Sequence, residues 1–169
     1  MPKHDISKEI ESKFGHQLRM RVNGILIEQD QLLLVKHRMG NGRILWSVPG
    51  GGMNFGSSAA ENLKREFLEE TGLEVKIEQY LFVHEYLSTP LHAMEHFFLV
   101  KRTSGNVTLG KDPELSDENQ ILEDIAWVSI DQLKFIPKES LHQVFWGINS
   151  LSELALWKGY FNFENNSIK

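Results

Sequence analysis

The most constraining stretch of this 169-residue chain is a helix entered through a run of glycines. Pro49 and the glycines at 50, 51 and 52 stop regular structure, because proline fixes φ and glycine leaves the backbone unrestrained. Residues 58–71 then read as a helix. Ala60, Leu63 and Phe67 recur at helical spacing, Ser58-x-x-Glu61 has the form of a capping box, and Gly72 stands where a C′ glycine belongs. At about 100° per residue, Glu66 and Glu70 lie about 40° apart and Glu69 about 60° to the other side of Glu66. Three carboxylates therefore share one face, adjacent to the apolar stripe. Like charges four residues apart are mildly destabilising on an isolated helix. A hard divalent cation turns that repulsion into coordination, since Mg²⁺ takes carboxylate and phosphate oxygens together. Spacing alone also allows a plainer account, in which Glu61, Arg65 and Glu69 form a solvated ladder of ion pairs.

Composition narrows the chemistry. The chain has no cysteine, which excludes disulfides, thiolate zinc sites, iron–sulfur clusters and thiol nucleophiles. Eighteen Lys and Arg against 23 Asp and Glu give a net charge of −5. That balance argues against nucleic acid as a partner and leaves any phosphate to be met by local geometry or by metal ions. The first 17 residues are too charged for a secretory segment, and no apolar run approaches the roughly 18 residues that cross a bilayer. The expectation is a cytoplasmic protein without a membrane partner.

Ile6, Ile10 and Phe14 recur every four residues, so residues 1–17 read as a helical extension packed on the body. From Leu18 the pattern turns to strands, with residues 20–37 forming a hairpin around Asp30. Further strands are expected at 44–48, 75–82, 92–101 and 125–128, a polar loop at 106–119 and a helical turn at 129–133. Residues 138–157 carry apolar positions at helical spacing and predict a longer helix. The division expected is an extension at 1–17, one α/β domain at 18–136 and a helical extension at 137–169 packed on that domain. His84, His92 and His96 read as hydrogen-bonded strand histidines before they read as a transition-metal site. Trp146, Trp157, Tyr160, Phe161 and Phe163 suit a packed helix, or a homodimer seam.

The segment from Gly51 to Leu73 resembles the Nudix box, the signature of the Nudix hydrolase family. That pattern is Gly, five residues, Glu, seven residues, Arg-Glu, an apolar residue, any residue, Glu-Glu, any residue, Gly and an aliphatic residue. Gly51 opens it, and the run from Arg65 through Glu66, Glu69, Glu70 and Gly72 to Leu73 closes it with every fixed position filled. The approach at 45–51 and the strands on either side extend the resemblance over residues 18–133. One position departs, because the first glutamate of the pattern falls on Ser57. In relatives that glutamate commonly supports the arginine of the motif. Glu61 either replaces it by pairing with Arg65 or stays in the capping box.

The resemblance implies an α/β/α sandwich with a mixed sheet in one domain. It also implies hydrolysis of a nucleoside diphosphate linked to another moiety, with Mg²⁺ (or Mn²⁺) as cofactor and a small nucleotide as substrate. ADP-ribose or another nucleotide sugar is favoured, helped by Pro90, and a nucleoside triphosphate comes next. Glu66 and Glu70 are the implied metal ligands, Glu69 is a third ligand or the base for water, and the carbonyl of Gly50 or Gly51 completes the shell. Arg65 orients the carboxylates. A distal base is expected among Glu114, Asp117, Glu118 and Glu123, with Glu118 preferred. Arg38, Gly51 and Gly52 are the expected substrate contacts, while Arg19, Arg21, Lys36 and His37 are weaker candidates. Ser57 motivates the alternative of a nucleotide-sugar sensor that binds without catalysis.

Overall fold

The computed structural model describes residues 6–162. Helix α1 covers Ile6–Phe14, and strand β1, Leu18–Ile25, follows it. Strands β2 (Ile27–Glu28), β3 (Gln31–Arg38), β4 (Ile44–Ser47) and β5 (Gly50–Gly52) lead to helix α2, Ala59–Thr71. Strands β6 (Glu74–Ser88), β7 (Leu91–Ser104) and β8 (Leu122–Ser129) come next, then the short helix α3 (Ile130–Phe135) and strand β9 (Gly159–Phe161).

Two sheets result. The larger runs β5-β1-β7-β6-β9 and is mixed: β1 is parallel to β7 and antiparallel to β5, while β6 is antiparallel to β7 and parallel to β9. In the smaller sheet β3 pairs antiparallel with β2, β4 and β8. The expected hairpin at 20–37 therefore shrinks. Only β2 and β3 form it, across Gln29 and Asp30, whose φ values of 49° and 58° suit the primed turns that match strand twist. β1 leaves for the other sheet, where Leu18 to Ile25 pair in order with His92 to Leu99.

Strand β3 is buried on both faces. Leu32 and Leu34 enter one apolar cluster with Ile25, Phe82 and Phe97, whereas Leu33 enters the other with Val22, Leu63 and Phe67. Period-two alternation thus ties both clusters to one strand. The second cluster receives the stripe of α2, with Leu63 and Phe67 fully buried. The first is covered by α3 and by residues 138–156.

Here the expected long helix is absent. Residues 138–157 form three short 3₁₀ turns, Lys138–Ser140, Gln143–Phe145 and Leu151–Leu156, with Gly147 at φ 72° between the second and third. Side chains three apart eclipse in a 3₁₀ turn, so Leu141, Val144, Phe145, Leu151 and Leu154 still reach the core. Trp157 and Phe161 pack against Phe82 at 5.5 and 5.4 Å, whereas Tyr160 is exposed; Phe163 lies outside the described residues. The whole is one mixed α/β domain. Among the described residues no helix is long and apolar enough to cross a membrane.

Candidate active site

Local sequence sets the helix start. Ser58 accepts from the Glu61 amide at 3.2 Å, and Glu61 accepts from the Ser58 amide at 2.7 Å, so the capping box is complete. Glu61 is thereby committed to the cap. Arg65 turns the other way, 2.8 Å from Glu66 Oε1 and donating to Glu69 Oε2 at 2.9 Å. It orients two carboxylates of the face without a glutamate at 57.

Part of that missing support comes from a residue the sequence reading passed over. Asn62 is buried, accepts from the Asn54 amide at 2.8 Å and donates to the carbonyls of Ser57 and Ser58 at 3.1 and 2.7 Å. It stitches the loop at 54–58 onto α2. The signal was available, since an amide beside Leu63 on the stripe needs partners when buried.

Glu66 and Glu70 are both buried, and β5 meets them edge on. A Cβ on Gly51 would stand 2.4 Å from Glu66 Cδ, so only glycine lets that carboxyl lie against the strand. The Gly50 amide donates to Glu70 Oε2 at 3.0 Å. Gly50 thus enters the site at least through its N–H, although its carbonyl was the expected ligand. His37 Nε2 lies 4.0 Å from Glu70 Oε1. Burial, and after it the charge of Glu70, pushes Glu66 up to about 7, against the pull of Arg65.

That perturbation tests the donor set for a metal. The cluster offers hard oxygen donors, and its negative charge exceeds what Arg65 neutralises. Such a set fits a Mg²⁺- or Mn²⁺-type ion and not a soft one. Glu66, Glu69 and Glu70 are the residues that would hold it.

The other expected site residues divide. Gly51, Gly52, Glu66, Glu69 and Glu70 line one cleft together with Arg19, Arg21, His37 and Glu114. Gly52 also accepts from Arg65 through its carbonyl at 3.4 Å. Arg38 is not brought to this cleft. It is exposed and paired with Glu123, which also lies 3.6 Å from Lys36, so opposite charges meeting across β3 and β8 use it instead. Asp117 is exposed and pairs with Lys111 at 3.1 Å, and the Glu118 side chain lies outside the described residues. Glu114 and Asp112 are the acidic loop residues that face the cleft.

Two arginines on β1 face the same space. The Arg19 guanidinium lies 4.1 Å over the Phe14 ring, and burial lowers it to about 10, with the charge of Arg21 acting in the same direction. Arg21 Nε, buried without an acceptor, lies 3.8 Å from Glu95 Oε2.

Glu95 centres a second cluster. His84 Nδ1 and His142 Nε2 approach its Oε1 at 2.9 and 2.8 Å, and the three possible ligand atoms lie within 4.8 Å of one another. His142 Nδ1 accepts from the Val144 amide, so its proton sits on Nε2 and is donated to Glu95. A metal would need that lone pair, and the arrangement is instead a proton-bound tie. Burial by itself would raise Glu95, but His142, His84 and Arg21 hold it well below the usual carboxylate range. His92 and His96 are likewise hydrogen-bonded, to Glu85 at 2.8 Å and to Tyr80 at 3.1 Å. Ala93, Glu95 and Phe97 are alternate buried positions of β7, so period-two reading marks Glu95 as an inward carboxylate.

The family model for the NUDIX domain matches residues 17–145. The Mycobacterium tuberculosis protein MutT4 is 33% identical over 98 residues, 54% of this chain and 36% of its own length. An ADP-ribose pyrophosphatase of Methanocaldococcus jannaschii is 29% identical over 108 residues, covering 59% of this chain and 62% of that protein. An 8-oxo-dGTP diphosphatase of Buchnera aphidicola is 27% identical over 115 residues, 68% and 79% of the respective chains. The chain thus spans well under two thirds of MutT4 and somewhat under two thirds of the archaeal protein. Among solved structures, a NUDIX hydrolase from Nitrosomonas europaea superposes with a TM-score of 0.60 at 22% identity, over 70% of this chain and 76% of that one.

Proposed function

The chain belongs to the Nudix family, and from that premise we propose that it hydrolyses a nucleoside diphosphate linked to another moiety, with a divalent metal as cofactor. The observation that carries this reading is the convergence of Glu66, Glu69 and Glu70 beside the glycine run, with Glu66 left partly uncompensated. When bound, a divalent ion supplies charge neutralisation at the phosphates and an acidified water. The chain does the rest. Arg65 fixes Glu66 and Glu69, the Gly50 amide fixes Glu70, and Arg19 and Arg21 offer N–H groups to phosphate oxygens. Glu114, which lines the cleft, joins Glu118 as a candidate distal base.

ADP-ribose or another nucleotide sugar is the favoured substrate, and a nucleoside triphosphate comes second. The names of the two relatives at 29% and 27% identity fall one on each side. Ile10, Phe14 and Leu91 extend the cleft beyond the carboxylates with an apolar wall, which suits a substrate bearing a ring on its outer phosphate. The assay is incubation with Mg²⁺ or Mn²⁺ and a panel of nucleotide sugars, dinucleoside polyphosphates and nucleoside triphosphates. Turnover that Glu70→Gln abolishes supports the enzyme. Binding throughout the panel without turnover refutes it in favour of the sensor that Ser57 motivates, and Ser57→Glu is then the repair to attempt.

A further inference from the structure

Helix α1 precedes all of the residues that match the family model, yet Ile10 and Phe14 form part of the cleft wall. The helix is fastened on two sides. Glu9 accepts from the amide and hydroxyl of Ser116 at 3.2 Å each and from the Asn119 side chain, and Lys13 donates to the Glu114 carbonyl. Just past the helix, the His16 amide donates to Pro90 in the β6–β7 turn at 2.8 Å. This anchorage fixes Phe14 beneath Arg19.

Arg19 differs from the other arginines near the carboxylates. Arg65 has Glu66 and Glu69 at hydrogen-bond distance, and Arg21 Nε, though without a hydrogen bond, has Glu95 at 3.8 Å. Among the described residues Arg19 has no carboxylate within 4 Å and no hydrogen bond, and Glu114, Asp112 and Glu95 act on it only from farther away; its aromatic neighbour occupies one face and leaves the N–H edge unused. Its Nη2 lies 3.1 Å from where a Gly52 Cβ would stand, which sets the guanidinium against the glycine run that also borders Glu66. A sheltered guanidinium with unused donors is completed by an anion, and phosphate matches its planar fork.

We propose that Arg19, held on the ring of Phe14, is the clamp for the substrate phosphate that lies beyond the three carboxylates, and that α1 is its positioning element. The identity of the ligand as a diphosphate rests on the hydrolase reading above; the anion site itself rests on geometry. Phe14 acts through Arg19 and is a positioning residue.

The test is calorimetric titration of the purified chain with methylenediphosphonate, a non-hydrolysable diphosphate, in the presence of Mg²⁺, alongside titration with Mg²⁺ alone. Arg19→Gln is expected to weaken the diphosphonate by about tenfold or more, the worth of a hydrogen bond to a charged group. Arg19→Lys falls between it and the wild type, and Phe14→Leu weakens binding by about threefold. All variants keep the wild-type affinity for Mg²⁺ and the wild-type melting behaviour. Affinity within twofold of wild type in Arg19→Gln overturns the clamp, as does a wild type that binds Mg²⁺ but no diphosphonate. Should Arg19→Gln not fold, the same comparison is made with Arg19→Lys. Unchanged affinity in Phe14→Leu overturns the role of α1. Turnover on the nucleotide panel is measured separately. Arg19-dependent binding without turnover sinks the hydrolase reading and leaves the clamp, whereas turnover with Arg19-independent binding does the reverse.

Discussion

Glu66 couples stability to pH in the metal-free protein. Burial beside Glu70 raises it from the ordinary 4.5 to about 7. A carboxyl whose folded pKa is raised binds more protons in the native state than in the unfolded one between those two values. Stability therefore falls as pH rises from about 4.5 to about 7. The change amounts to roughly 3 kcal/mol at 1.36 kcal/mol per unit. For a chain of this length that is a fall of roughly 6 to 12 °C in Tm. Mg²⁺ supplies a counter-charge against the two causes, burial first and the Glu70 charge second, so the ion should raise Tm strongly at pH 7.5 and little at pH 5. The assay is thermal unfolding followed by circular dichroism from pH 4.5 to 8, once with EDTA and once with Mg²⁺. Glu66→Gln is the control for the seven histidines, because it removes this carboxyl and leaves them in place. A pH dependence that Glu66→Gln leaves intact would refute the reasoning, as would a Mg²⁺ effect of equal size at both pH values.

Gly51→Ala places a methyl 2.4 Å from Glu66 Cδ and forces the carboxyl aside by about 1 Å; the expected loss in kcat is about 100-fold, read in steady-state turnover. Gly52→Ala meets only the tip of Arg19 at 3.1 Å and should cost far less. Glu95→Gln removes the charge at the centre of the His84–His142 tie and should destabilise the fold by roughly 3 kcal/mol in urea unfolding at pH 7. Because Glu95 is depressed, its contribution is present above the ordinary carboxylate range and is lost as pH falls below it, so the gap between wild type and variant should narrow on acidification. Asn62→Ala releases the loop at 54–58 and should cost about 1–3 kcal/mol; a change under 0.5 kcal/mol would show that the loop holds without it.

How much of this could be read from the sequence differs by region. Helix α2 was legible because three signals agreed: the capping box, the apolar stripe and the closing glycine at φ 71°. Angular spacing placed its carboxylates on one face, while the part of the glycine run in the same site came only with the family resemblance. Residues 138–157 misled because Leu141, Val144, Phe145, Ile148, Leu151 and Leu154 have spacings common to α-helices and to successive 3₁₀ turns. The deciding facts were weaker ones. Ser, His, Val, Phe, Trp, Gly and Asn crowd residues 140–150 and are poor helix formers, and the Trp146 indole takes carbonyls at Lys138 and Leu141 that a helix would have used. β1 was legible as a strand but its partner was not, since a parallel neighbour seventy-odd residues away leaves no local mark. The pairing of Arg38 with Glu123, and the place of Phe14 under Arg19, are likewise products of distant segments meeting.

The parallel pairing of β1 with β7 has a further consequence during synthesis. β1 carries Arg19, Arg21 and Asn23, yet its β7 edge stays bare until the stretch from His92 to Leu99 has been made. At ribosomal speeds of about 5–20 residues per second, that is a wait of roughly 4 to 15 s with Val22 and Ile25 unshielded. The nascent chain at that stage already contains α2 with Glu66, Glu69 and Glu70, but not the strand that sets the arginines opposite them. A truncated product ending before residue 92 would hold both the acidic face and Arg19 and Arg21 but lack β7, and would present an unsatisfied strand edge that chaperones and neighbouring chains can recognise.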